Sequence, residues 1–422
     1  MKLFQQMLVA GASMSLIAPI AAQASDVINL EEMNSYSRSQ TKSSRIDSNT
    51  FINSVSEDIA NIKSRIDGLE VKQNEFEAGG FSDTTTLDGK VNFTLGALSY
   101  DGSGTDTVSN EATLFQYTWT GNLNTSFTGD DNLYVRLKTG NATSWTKDKV
   151  HNTYLSSAKG NSDALKVDKI WYSFPVGENN TVWIGPKIEN YYMHGATPSI
   201  YAPITKQFKL GGNGAAYGAS TDSGIGWAYK GDNGFSLSSN VVSKQNKTTN
   251  GFLTDESKTN WSTQVAYTTD TYHLSLITAL KYNGWTDSYY TTSLGKARPN
   301  GNSTNYGLRG YWRPDSESQA VPEISAGYDI STVEGQEADT DSYFVGLTWK
   351  DTFQADDKIG IALGQPQKAD TDTETPFTWE AYYSYKVNDS VTVTPAIFGA
   401  TDRTGTSGVD ITGAVVQTTF KF

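Results

Sequence analysis

Along most of the chain, apolar and polar residues alternate singly. In GAVVQTTFKF (413–422), Ala414, Val416, Thr418, Phe420 and Phe422 share one side, and Val415, Gln417, Thr419 and Lys421 the other. Phe115, Tyr117, Trp119, Leu123 and Phe127 alternate with Gln116, Thr118, Thr120, Asn122 and Asn124. Phe377, Trp379, Ala381, Tyr383 and Tyr385 likewise oppose Thr378, Glu380, Ser384 and Lys386. A period of two is the signature of a strand whose faces meet different media. Read this way, the chain divides into sixteen strands near 87–98, 112–127, 132–139, 164–175, 181–188, 215–229, 234–243, 260–269, 271–281, 304–313, 322–331, 341–350, 357–366, 376–387, 390–400 and 412–422.

Connection lengths separate the two architectures that such strands can build. Short turns such as 129–132, 177–180, 231–233 and 388–390 alternate with longer polar stretches at 99–111, 140–163, 189–214, 244–259, 282–303, 331–341, 367–375 and 401–411. A soluble sandwich keeps its connections short and hides its apolar faces. A membrane barrel turns its apolar face to lipid, with short turns at one end and long loops at the other. The expected fold is therefore all-β, a closed antiparallel 16-stranded transmembrane β-barrel over 81–422. Closure removes the strand edges that lipid does not tolerate, so GAVVQTTFKF is expected to pair beside the first strand. Sixteen strands are too many for side chains alone to fill the interior, which predicts a water channel.

Ahead of the barrel the period changes. Ile52, Val55, Ile59, Ile62, Ile66 and Leu69 are spaced alternately three and four apart, with Glu57, Lys63, Arg65, Asp67 and Glu70 off that seam. This heptad pattern predicts a coiled-coil helix over 50–80, and its β-branched mix favours three or more chains. Residues 25–49, rich in Ser, Asn and Thr, read as a flexible lead-in. Residues 1–24, with Lys2, an apolar stretch from Leu8 to Ala22 and the small residues Ala22 and Ala24, read as a cleaved signal peptide.

Composition adds exclusions. Mean hydropathy is −0.47, which excludes a bundle of membrane helices. The formal charge of −13 disfavours nucleic acid as a partner and predicts a mild preference for cations in any channel. Cys is 0 and His is 3, and none of His151, His194 and His273 stands in a catalytic or metal-binding spacing, so no enzyme, metal or cofactor is expected.

One connection, 187–214, mixes aromatic and charged residues and is apolar enough to pack. Folded into the lumen it would narrow the pore, making Lys187, Glu189, Tyr191, Tyr192, His194, Lys206 and Lys209 candidates for a constriction. Strand parity assigns Arg136, Lys138, Arg309 and Arg313, and the acidic Glu323, Asp329 and Glu380, to the lumen wall, where opposed charge would create a transverse field. The Gly-rich GGNGAAYG (211–218) lacks the Lys-Ser/Thr of a phosphate loop.

Three phrases carry a family resemblance: LEVKQNEFEAGGFSDTTTLDGKVNFTLGA (69–97), FTGDDNLYVRLKTGN (127–141) and KIWYSFPVGENNTVWIGP (169–186). With the heptad segment they make the chain resemble the cyanobacterial outer-membrane porins of the carbohydrate-selective porin family. The resemblance implies a homotrimer in outer-membrane lipid, passive uptake of small hydrophilic solutes, and a terminal aromatic read by the insertion machinery. Members of that branch usually carry a wall-binding surface-layer-homology module before the coiled coil. Here about 25 residues separate Ser25 from Thr50, too few for one. Contact with the cell wall through the periplasmic helix is a further expectation, and it underlies an alternative function: a structural protein tethering the envelope.

Overall fold

The computed structural model describes residues 59, 62, 63, 65, 66, 84–102, 111–147, 153–212, 214–217, 221–244, 251–285, 301–314, 320–335, 339–403 and 408–422. The chain divides into two units, Met1–Asp83 and Thr84–Phe422. In the first, Ile59, Ile62, Lys63, Arg65 and Ile66 have helical backbone and exposed side chains. The signal peptide and lead-in, and with them Ile52, Val55 and Leu69 of the heptad seam, lie outside the described residues.

The second unit is one closed antiparallel sheet. Its strands are β1 (Thr85–Gly102), β2 (Leu114–Thr125), β3 (Asn132–Gly140), β4 (Lys166–Val176), β5 (Asn180–Ile188), β6 (Asp222–Lys230), β7 (Phe235–Ser243) and β8 (Thr259–Thr268). They continue with β9 (Tyr272–Tyr282), β10 (Ser303–Trp312), β11 (Glu323–Val333), β12 (Thr340–Lys350), β13 (Lys358–Ala369), β14 (Phe377–Lys386), β15 (Val391–Thr401) and β16 (Val409–Lys421). Each strand pairs with its sequence neighbours, and β1 closes the ring on β16. The closing register runs from Lys90 opposite Lys421 to Gly102 opposite Val409. Phe420 meets Phe93 edge to face at 5.3 Å on the outside, while Thr419 donates to Asn92 at 2.8 Å on the inside.

The outer face is apolar: Phe115, Ile225, Trp261, Leu274, Leu276, Leu308 and Ile397 are exposed, whereas the intervening residues of the same strands are largely buried. That inversion is the physical mark of a barrel whose outside meets lipid. At the turn end, Asp131 organises the β2–β3 connection. It accepts from Tyr172 O–H (2.6 Å), Thr128 N–H (2.8 Å) and Phe127 N–H (2.9 Å). The Tyr172 hydrogen bond, helped by those from Thr128 and Ser126, holds its carboxyl well below the usual carboxylate range.

One strand departs markedly from the sequence reading, while the others differ by up to about four residues at an end. The sixth begins at Asp222, not near 215. Residues 214–217 instead belong to the preceding loop and are buried. Period-two counting cannot separate a Gly- and Ala-rich loop from a strand, because it carries few side chains to sort.

Candidate functional site

The connection between β5 and β6 turns inward. Asn190 donates to Asn240 of β7 (2.7 Å) and accepts from Asn260 of β8 (3.2 Å). Ile200 N–H donates to Ser325 of β11. Ala215 N–H reaches Gln367 of β13, and Lys281 of β9 donates to the Ala215 carbonyl at 2.7 Å. Only a segment inside the ring can touch so many arcs of it.

Two acidic groups hold this segment. Glu380 of β14, fully buried, accepts from Ile204 N–H (3.0 Å), Thr205 N–H (2.8 Å), Thr205 O–H (2.6 Å) and Tyr201 O–H (3.0 Å). Asp329 of β11 accepts from Ala216 N–H at 3.0 Å and pairs with Arg309 of β10. Arg309 in turn donates to the Leu210 carbonyl at 3.1 Å. The glycines of 211–214 serve this packing. Gly211 (φ +75°) lies against the Arg309 side chain and Gly212 (φ +114°) against Phe344, where a Cβ would have no room.

The rest of the grip is apolar. Tyr201, Ile204 and Phe208 pack with Trp145 and Leu155 of the β3–β4 connection against inward-facing Leu98, Phe344, Phe398, Ile411 and Val415. The two loops are joined by a bridge between Leu155 and Thr205. Ser157 donates to Gln417 of β16 at 2.6 Å. The apolar packing of both loops therefore lies against β12–β16 and the adjoining β1.

The wall formed by β1–β4 keeps its polar inward side chains. Arg136 of β3 donates to Asn122 (3.0 Å) and to the Tyr192 hydroxyl (2.8 Å). Tyr192 packs on Trp171, and Tyr191 on Tyr192, with centroids 4.8 and 4.5 Å apart. Glu189 pairs with Lys169 of β4 and accepts from Tyr191 O–H at 2.5 Å. Burial raises the Glu189 carboxyl, but the charge and hydrogen bond of Lys169, the Tyr191 hydroxyl and the Lys206 charge together hold the group below its ordinary range. His194, 3.2 Å from Ser238, is pushed down by burial to about 3 and is neutral at physiological pH. Lys138 and Lys209 are half-buried, and Lys206 is buried.

Three of the sequence candidates stand apart from this cluster. Lys187 lies on β5 and donates to the Val167 carbonyl at 2.6 Å. Arg313 and Glu323 flank the β10–β11 turn, where Glu323 also accepts from Lys350 at 2.6 Å. Of the lumen charges, Glu380, Asp329 and Arg309 are consumed by holding the loop. Lys169 was missed because a register shift between Arg136 and Leu137 changes the parity of β4. Lys90 was missed although the alternation of β1 points it inward with Asn92 and Thr94.

The family profile described as "Carbohydrate-selective porin, OprB family" matches residues 46–422. The chain belongs to this family. It is an outer-membrane porin, a channel for small solutes, and its fold and family point to a channel rather than an enzyme. An uncharacterised protein of Nostoc is 27% identical over 424 residues, spanning 87% of this porin and 70% of the relative. Among solved structures, Pseudomonas putida OprB superposes with a TM-score of 0.59 at 11% identity, covering 80% of this porin and 94% of that chain. The trimer form of Vibrio cholerae OmpT gives a TM-score of 0.50 at 12% identity, covering 81% and 100%. At these identities the likeness is one of fold.

Proposed function

We propose that this porin is a diffusion channel for small hydrophilic solutes, ions and sugars among them, that it works as a homotrimer, and that the inward residues 189–212 and 214–217 set its size limit. The observation that carries the reading is the division of the lumen. Two loops pack against one arc of the inner wall, centred on β12–β16, while solvent reaches the inward side chains of Lys90, Arg136 and Lys138 on the β1–β3 arc. Purified protein in planar bilayers is expected to give stepwise conductance, and liposomes carrying it to swell in small sugars but not in large ones. A silent bilayer would sink the reading and leave an envelope-tethering role standing.

Export through a cleaved leader (1–24), a lead-in (25–49) and a periplasmic coiled coil (50–80) complete the proposal. Exposure of Ile59, Ile62 and Ile66 at 60%, 54% and 48% supports the coiled coil, since a seam left in water by one chain invites others. The trimer form of the OmpT relative in fold points the same way. Replacing Ile59 and Ile66 together by Asp is expected to weaken or abolish the trimer in native gels and light scattering; an unchanged trimer would rule out the seam as the contact that holds it.

A further inference from the structure

Strand register places a row of lysines up one wall of the lumen. Lys421 of β16 stands opposite Lys90 of β1. Lys90 stands opposite Thr120 of β2, Thr120 opposite Lys138 of β3, and Lys138 opposite Lys166 of β4. Residues directly opposite across antiparallel strands share a face. That face is the inner one, because Asn92 and Thr419, one alternation away from Lys90 and Lys421, bond to each other inside the ring. Strands lie about 4.8 Å apart, so the row spans roughly 20 Å.

The row also climbs. Lys421 ends β16 on the side of the short turns, whereas Lys166 begins β4 on the side of the long loops. One residue below Lys138 on the same face, Arg136 adds its guanidinium beside Tyr134 and Tyr192.

The loop presents both an acid and a cation to this wall, and the acid, Glu189, is already paired with Lys169. Lys209 feels the charges of Glu189, Lys169, Lys90 and Arg136, and Lys138 feels those of Lys209, Arg136 and Asp168. The nearby carboxylates are engaged: Glu189 by Lys169, Asp168 by Lys159 at 2.9 Å, and Asp88 by the amides of Asn122 and Asn124 at 2.6 and 2.8 Å. Among the described residues no ion-pair or hydrogen-bond partner holds the ammonium of Lys90, Lys138 or Lys209. Unpaired cations on both sides of a passage with low-dielectric walls focus a positive potential there.

We propose that this row is a conduction path for small anions and that Arg136, Lys138 and Lys209 form a site that holds a doubly charged oxyanion longer than chloride. The proposal rests on the open-channel reading above and reverses the cation preference expected from the net charge of −13. That charge sums the loops and both units, whereas an ion in transit feels the few groups within a Debye length, about 8–10 Å at ordinary salt.

The test uses the purified full-length protein in planar bilayers under a potassium chloride gradient. The reversal potential is expected to report chloride more permeant than potassium, and added inorganic phosphate to reduce the chloride current saturably. Lys138→Glu combined with Lys209→Glu, checked for folding by heat-modifiable mobility, is expected to lower the chloride-to-potassium permeability ratio roughly tenfold, the low end of electrostatic focusing. Lys138→Arg is expected to keep the ratio. Potassium preference in the unmodified protein, or a ratio unmoved by the double charge reversal, would overturn the anion path. Chloride preference with no effect of phosphate would overturn the oxyanion site. A bilayer without conductance steps strikes the porin reading itself, whereas steps with potassium preference strike this inference alone.

Discussion

Glu380→Ala is expected to raise single-channel conductance and the size limit for sugars in liposome swelling. The carboxylate is buried and takes four hydrogen bonds from the inward loop, at Tyr201, Ile204 and twice at Thr205. Removing it strands those donors, at a cost of about 1–3 kcal/mol for each one that stays buried. The cheapest relief is for residues 201–205 to leave the wall and find water, which widens the passage. The apolar contacts of Phe208 with Phe344 (5.7 Å between ring centroids) resist this, so the loop should loosen locally without leaving the lumen. Glu380→Gln keeps one acceptor oxygen and should fall between the two. A conductance unchanged in Glu380→Ala would show that this segment does not bound the pore.

Arg309→Met is expected to be the most destabilising single change in the barrel wall. Arg309 is 0% and Asp329 1% exposed, and they pair inside the ring. Truncating one partner of a buried pair leaves an uncompensated charge, at a cost of about 3–5 kcal/mol. Arg309 also covers Gly211 and holds the Leu210 carbonyl, so the loop loses an anchor at the same time. The measurement is the urea midpoint of the heat-modifiable folded form in detergent. Adding Asp329→Leu should recover much of the loss, because two apolar groups bury without the desolvation penalty. Equal midpoints for Arg309→Met and the unmodified protein would mean that Asp329 is solvated or neutral in the fold.

The two effects differ in kind. Glu380 holds the loop alone among the acidic groups of its strand, so its loss opens the channel. Arg309 and Asp329 join the loop to two neighbouring strands, β10 and β11, so their loss weakens the wall.

Much of the architecture is legible without coordinates. A strand's two faces are sorted by adjacent residues, so alternation in Phe115–Phe127 or 413–422 reports its surroundings locally, and strand number and closure follow. Apolar residues on the polar parity were a signal left unread. Leu98, Phe398, Ile411 and Val415 face the lumen, where water would disfavour them, and they form the floor on which the two inward loops dock. The loop's mixed character around Tyr201–Phe208 is the other half of that contact.

Charge was less legible, because parity tells only which way a side chain points. Arg309, Asp329 and Glu380 read as lumen charges and do lie on the inner face, yet loop groups from far along the chain satisfy them. Lys169 depends on a bulge that local alternation cannot locate. Lys90 and Lys138 become neighbours on one wall only through the β1–β2–β3 register. By itself the sequence determined the strands, their two faces, the closing partner of 413–422 and the family, because these follow from local periodicity and short phrases. Which charges remain free to meet a solute was decided by the tertiary structure, because pairing depends on register and on where two long loops come to rest.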